Sequence, residues 1–512
     1  MDENVVYNPP TQNDPAAPPV GTPPAPGSVP PATPGASGPI DPAAPTPVDP
    51  NAPATETTDD QADGTEEEVE EESPPPGGFL GGGLLKKVLI GLGAVVLLII
   101  IILILIPKGQ PDKPVTLQWW GLWEDASTMQ PLIIDFKKTH PNVTIQYIKQ
   151  DPTQYQQQLT TRIQNGNGPD IFTFHNTWLP MLNGDLSPLP SSVITPGEFK
   201  QTYYPIMQQD LTQNGGLYGI PMEGDTLALF VNPSLFEDAG VQVPTNWDQF
   251  VKAAAQLTVK DKNTGKIKTA GAALGTYDNI NHASDIVSLL FLQQGVKMSN
   301  FGTSATNQAD ALQFYTSFAT GSNAVWDGTL DNSLLSFSKG NLAMYFGYSW
   351  DVFQIQQLNP NLQFKIYSVP ANQGVKTTVA SYWVTGVSAK SPNQTEAMEF
   401  MKFLAQKSTA QEFYSETAKV RAFGEPYARK DLQQSLKENQ LVYPFVSQLD
   451  NAGSTYFSSH TNDGQTGINT QMDTYLQTAI NSITNGGNSA QSVTEDLDNG
   501  FSQVLQKYGQ QQ

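Results

Sequence analysis

Nineteen consecutive residues from Val88 to Ile106, VLIGLGAVVLLIIIILILI, carry no charge. At about 1.5 Å of rise per residue they make a helix of roughly 28 Å, close to the hydrocarbon thickness of a bilayer. A buried core helix rarely runs so far without a polar face. A secretory signal peptide does not sit behind 87 residues, nor end in Pro107-Lys108-Gly109 in place of a small-residue cleavage site. The run therefore predicts one uncleaved transmembrane anchor over residues 84–107. Lys86 and Lys87 abut it on one side, Lys108 and Lys113 on the other, so the basic residues leave its orientation open.

The flanks differ in kind. Residues 1–83 hold 20 of the 40 prolines, in runs such as PPAPGSVPPATPG, followed by the acidic block Glu66 to Glu72. Too few large apolar side chains are present there to offset the entropy of ordering, which predicts a disordered tail, partly polyproline II. It reads as a solvated spacer or as a docking tail. Of the net charge of −22, residues 1–85 carry −15, residues 86–113 carry +3, and the remainder −10. An acidic chain repels phosphate backbones, which argues against nucleic acid as a partner. The absence of cysteine excludes disulfides, thiolate metal sites and a lipid-anchored cysteine.

After a short tether at 108–113 the texture changes to alternating strand and helix signals. Val115, Leu117 and Trp119 keep a period of two; Met129, Leu132, Ile133 and Phe136 keep helical spacing, with Pro131 tolerable in the first turn. Val143, Ile145 and Tyr147 alternate again, Tyr155, Leu159 and Ile163 form a second helical stripe, and Ile171 to Phe174 is a short apolar run. Strands and helices alternating at this pitch predict parallel pairing in an α/β domain. Thr245-Asn246-Trp247-Asp248 reads as a capped helix start with an apolar face of Trp247, Phe250, Val251, Ala254 and Leu257. Asn393 is the expected cap of a helix carrying Ala397, Phe400, Met401 and Leu404. About 400 residues exceed what one core usually supports, so two lobes are expected.

The ordered blocks WGLWEDASTMQPLIIDFKKTHPNVTIQY, NGNGPDIFTFHNTW with LNGDLSPL, YGIPMEGDTLALFVNPSLFEDAGVQVPTNWDQF, FSKGNLAMYFGYSW and ASYWVTGVSAKSPNQTEAMEFMKFLAQ resemble those of the family 1 extracellular solute-binding proteins, the maltose-binding-like receptors of ABC importers. The resemblance spans 114–512. It implies a two-lobed periplasmic-binding-protein-like (type II) fold with a hinge, closing on a ligand between the lobes. Lobe 1 would span about 114–222 and 362–424, and lobe 2 about 226–358 and 428–512. The chain would cross at Met222 to Asp225, near Leu358, and at Ala422 to Tyr427. The resemblance also implies a cytoplasmic tail, an extracellular C-terminal domain on a single-pass anchor in the cell membrane, and ABC permease subunits as partners of a monomeric receptor.

Sugars offer apolar C–H faces and a rim of hydroxyls, so their sites combine aromatic platforms with carboxylates, amides or imidazoles. The loop after the first strand supplies Trp123 and Glu124. The loop after Ile171 to Phe174 supplies His175, Asn176 and Trp178, and by the rule that ligands sit at the carboxyl ends of strands both loops face the cleft. The resemblance adds Asp225 at the first crossing, Tyr348 and Trp350 at an aromatic-platform position, and Trp383 at the return to the hinge. Each has a structural alternative: packing for the tryptophans, a solvated or capping role for the acids, a satisfied core position for His175. Trp119 and Trp120 read as strand packing, since alternation sends one of them into the core. The matched positions offer no clear basic partner.

Catalytic patterns are thin. A glycosidase needs two carboxylates about 5–9 Å apart, which Glu124 with Glu223 or Asp225 would have to supply across the cleft. None of the four histidines, His140, His175, His282 and His460, is paired at metal-binding spacing. Asp261 to Gly265 mimics the opening of a calcium loop, but Ala272 stands where the bidentate glutamate belongs, so a turn is expected. No cofactor is expected, and neither is an enzyme. The sequence thus predicts a membrane-anchored receptor for a mono- or oligosaccharide, with an extracellular carbohydrate-active enzyme or a ligand sensor as the alternatives.

Overall fold

A computed structural model describes residues 113–509. The expected tail (1–83), anchor (84–107) and all of the tether but Lys113 lie outside the described residues. Among the described residues, no helix is long and apolar enough to cross a membrane.

The chain opens with strand β1 (Val115–Gly121), helix α1 (Ala126–Thr139), β2 (Val143–Lys149), α2 (Tyr155–Gln164) and β3 (Ile171–His175). It continues through β4 (Ile220–Pro221), β5 (Ala228–Val231), α3 (Trp247–Leu257), β6 (Val259–Lys260), β7 (Ile267–Ala272), β8 (Leu342–Gly347) and α4 (Ser349–Leu358). Then come β9 (Lys365–Tyr367), β10 (Thr378–Val379), β11 (Trp383–Val387), α5 (Gln394–Leu404), α6 (Lys407–Thr417), β12 (Ala452–Gly453), α7 (Ile468–Thr484) and α8 (Ala490–Lys507). Two five-stranded sheets result, in the orders β2-β1-β3-β11-β4 and β9-β5-β8-β7-β6. In the first, β1 runs parallel to β2 and β3, while β11 returns antiparallel between β3 and β4.

The amphipathic stripes decide which helix faces are buried. Met129, Leu132, Ile133 and Phe136 of α1 and Tyr155, Leu159 and Ile163 of α2 are buried against the first sheet's core. Burying a side chain the size of Phe136 contributes roughly 2–3 kcal/mol. Trp119 and Trp120 are both buried, because helices cover both faces of the sheet, so alternation does not expose either one. Asn246 caps α3 as expected, its side chain accepting the Gln249 N–H at 3.0 Å. Val251 departs from the expected stripe and is exposed, with Ala253 buried in its stead. Asn393 starts α5 without capping it; its amide donates to Asp170 Oδ1 at 3.0 Å and ties the helix to the strand region before β3. Asp261 accepts the N–H groups of Asn263 and Thr264 and closes a turn between β6 and β7.

The chain passes between the sheets three times, and the crossing segments lie side by side. Gly224 N–H donates to Pro426 O at 2.9 Å, Ser381 N–H to Asp225 O at 3.2 Å, and Leu227 N–H to Val379 O at 2.9 Å. The second crossing falls later than expected. Lys365–Tyr367 pairs antiparallel with β5 in the second sheet, so the chain does not leave near Leu358 or rejoin the first lobe at 362. Helix α4 does end at Leu358, and a three-residue edge strand after it is too short to register as periodicity.

Candidate functional site

Between the two sheets lies a cavity of about 410 Å³. Met222, Glu223, Ser381 and Trp383 border it from the hinge, Trp123 and Glu124 from the loop after β1, His175 from the carboxyl end of β3, and Ser349 and Trp350 from the first turn of α4. This is where a doubly wound sheet presents its loops.

Its aromatic walls come from both lobes. The Trp383 ring meets Trp123 edge-on at 5.3 Å and His175 at 5.1 Å, with Trp178 behind it at 5.4 Å. Across the cavity Trp350 stacks on Tyr348, centroids 4.4 Å apart and planes 13° off parallel. Trp123 is 39% exposed, the most open of these rings.

The polar wall is acidic. Glu124, Glu223, Glu425 and the Arg421 guanidinium border the same space. Arg421 pairs with Glu425 and stands 3.9 Å from Glu124. Burial pushes the Glu124 carboxyl well above its ordinary range, and the adjacent Glu425 adds to the shift. Burial likewise raises Glu223, with further repulsion from Glu425 and Asp225. His175 is pushed down to about 3 by burial and stays neutral, sharing hydrogen bonds with Thr177 Oγ1 at 2.8 Å and Ser381 Oγ at 3.0 Å.

Five of the nine residues singled out from sequence border the cavity: Trp123, Glu124, His175, Trp350 and Trp383. The other four lie one layer behind. Asp225 is fully buried and accepts the Ser349 N–H at 2.9 Å, holding a carboxylate against the N-terminus of α4 and so fixing the turn that carries Trp350. Tyr348 backs Trp350 and donates to Asp285 at 2.8 Å. Trp178 backs Trp383. Asn176 donates to Asp210 at 2.9 Å and accepts the Tyr382 N–H at 3.2 Å, away from the cavity. All four are buried; the polar groups of Asp225, Tyr348 and Asn176 go to the protein itself, whereas the Trp178 indole N–H has no hydrogen-bond partner.

Arg421 and Glu425 were not among the residues singled out, and Arg421 corrects the expectation of no basic partner. The available signal was their place at the third crossing, beside Gly424 and Pro426. Ser459, His460 and Asn462 also border the cavity, with His460 and Asn462 at positive φ of 59° and 56°. No periodicity marks such a loop. Behind Trp350, His282 bonds Asp351 at 2.7 Å and Ser459 at 2.9 Å. Burial alone would lower His282, but Asp351 and Asp285 outweigh it and hold it at about 9.

A family model described as bacterial extracellular solute-binding protein matches residues 120–411. The chain belongs to that family. A multiple sugar-binding protein of Streptococcus mutans is 20% identical over 372 residues, 68% of this chain and 86% of its own length. A solved cyclo/maltodextrin-binding protein complexed with maltotetraose is similar at a TM-score of 0.63 and 18% identity, over 78% of this chain and 99% of its own. The sugar-binding protein MalE from Xanthomonas citri gives 0.61 at 19% identity, over 78% and 100%. These structures share the two-lobed type II α/β fold with this solute-binding protein. A member of this family is a solute binder and not an enzyme.

Proposed function

We propose that this solute-binding protein takes a carbohydrate between its lobes on the outer side of the membrane and delivers it to the transmembrane subunits of an ABC permease. The observation that carries the reading is Trp350 and Trp383, one from each lobe, bordering one 410 Å³ cavity whose polar lining includes carboxylates, imidazoles, hydroxyls and the Arg421 guanidinium. Aromatic faces cover the C–H surfaces of a pyranose while Glu124, Glu223 and His175 take its hydroxyls. The neighbours whose descriptions name maltotetraose and sugars point to the same ligand class. In this reading the apolar run Val88–Ile106 is the anchor, residues 1–83 are cytoplasmic, and one chain supplies the whole site. Ligand that touches both lobes only when they close shifts the population toward the closed state.

A thermal-shift screen against mono- and oligosaccharides tests it. A sugar at about a hundred times its Kd adds roughly 2.7 kcal/mol of stability, a clear rise in Tm. A panel in which no sugar raises the Tm would remove carbohydrate from the assignment.

A further inference from the structure

We propose that the carbohydrate this cavity takes is a cationic one, an amino sugar whose ammonium sits between the Glu223 carboxylate and the face of Trp383. The proposal rests on the carbohydrate reading above and narrows it.

Glu223 is only 8% exposed and borders the cavity. One of its oxygens accepts the Trp383 backbone N–H at 2.8 Å; among the described residues no donor within hydrogen-bonding distance serves the other. Because Glu223 borders the cavity, a ligand donor can reach that oxygen, and a cationic donor binds a carboxylate more strongly than a neutral one. The protein's own cation is committed elsewhere, since Arg421 pairs with Glu425 and leans toward Glu124. The cavity's two histidines do not fill the gap: burial lowers both His175 and His460, and His460 is directed to Asn281 O at 2.9 Å.

Three carboxyl groups therefore face one guanidinium, with Asp225 behind them adding to the repulsion on Glu223. Burial and that repulsion both raise the Glu223 carboxyl. A ligand ammonium relieves the repulsion by pairing with it. Trp383, whose backbone N–H donates to Glu223, borders the same cavity and offers an aromatic ring for a cation–π contact. An organic cation is the fitting occupant, because among the described residues no group of three His, Asp or Glu is arranged to hold a metal ion. A neutral sugar would meet the same rim with hydroxyl donors alone, about half as strong.

Isothermal titration of the protein with matched pairs tests this: glucosamine mono- to tetrasaccharides against the glucose counterparts of the same linkage, at two salt concentrations. The expected result is one or more amine ligands bound about tenfold or more tightly than the hydroxyl counterpart. That ratio should shrink at high salt and in Glu223→Gln, whose amide oxygen still accepts the Trp383 N–H, with a circular-dichroism melt confirming that the variant folds. Neutral sugars binding as well as or better than every amine counterpart overturn the proposal and leave the carbohydrate reading standing. Binding of neither series defeats both.

Discussion

Trp350 owes its position to residues that never touch the cavity. Asp225 accepts the Ser349 N–H and Tyr348 stacks beneath the indole. Asp225→Ala leaves a buried N–H unpartnered, so it should cost about 1–3 kcal/mol in urea unfolding. Burial raises the Asp225 carboxyl to about 7, so between about pH 4 and 7 the folded state holds a proton the unfolded state has released. Its contribution is fully present below about pH 4 and lost as the pH rises through about 7. Asp225→Asn should flatten that part of the stability profile, and an unchanged slope would contradict the assignment. His282 titrates with the same sign in a higher window. Held at about 9 by Asp351 and Asp285 against its own burial, it stabilises fully below about pH 6.5 and stops doing so as the pH passes 9. Melts of His282→Gln across pH 6–10 should lack that fall and show a loss on the order of 3 kcal/mol at neutral pH, where two buried aspartates lose their cation.

Elements were legible where their periodicity was long. The stripes of α1, α2 and α5 and the strands β1 to β3 follow from spacing alone, because burial of one face decides the outcome. The short pieces were not legible, and β9 moved the second crossing for that reason. In the site, Trp123, Glu124 and His175 could be read as loop residues after strands, whereas Asp225 and Tyr348 share residue type and neighbourhood with true cavity residues but point inward. Arg421 and Glu425 lie some 300 residues from Glu124 in the chain, and no local pattern announces that pairing. Close backbone contact is a further thing a sequence hides. Gly271 of β7 lies against α3, where an added Cβ would fall 1.9 Å from Ala254 O. Backbone cannot yield as a side-chain tip can, so Gly271→Ala should cost about 1–3 kcal/mol or more, read as a shifted denaturation midpoint.

For the whole molecule, three crossing segments lie side by side between the two sheets, and the cavity between the sheets is built from both. Gly224 sits in the first crossing, where a Cβ would meet Met207 Cε at 2.7 Å, Leu449 Cδ1 at 3.0 Å and the Ala428 backbone at 3.2 Å. Gly224→Ala should therefore disturb closure as well as stability, and ligand should contract the scattering envelope of the variant less than that of the wild type. Closure also implies that ligand affinity depends on both lobes at once. The most direct measurement is the Kd of one bound sugar for the wild type, for Trp383→Ala in the first lobe and for Trp350→Ala in the second. A ligand gripped between the lobes loses about ten- to a hundredfold with either change, as removal of an aromatic platform costs roughly 1–3 kcal/mol. Undiminished affinity in either variant would mean the ligand sits on one lobe alone, and the receptor would not close as described.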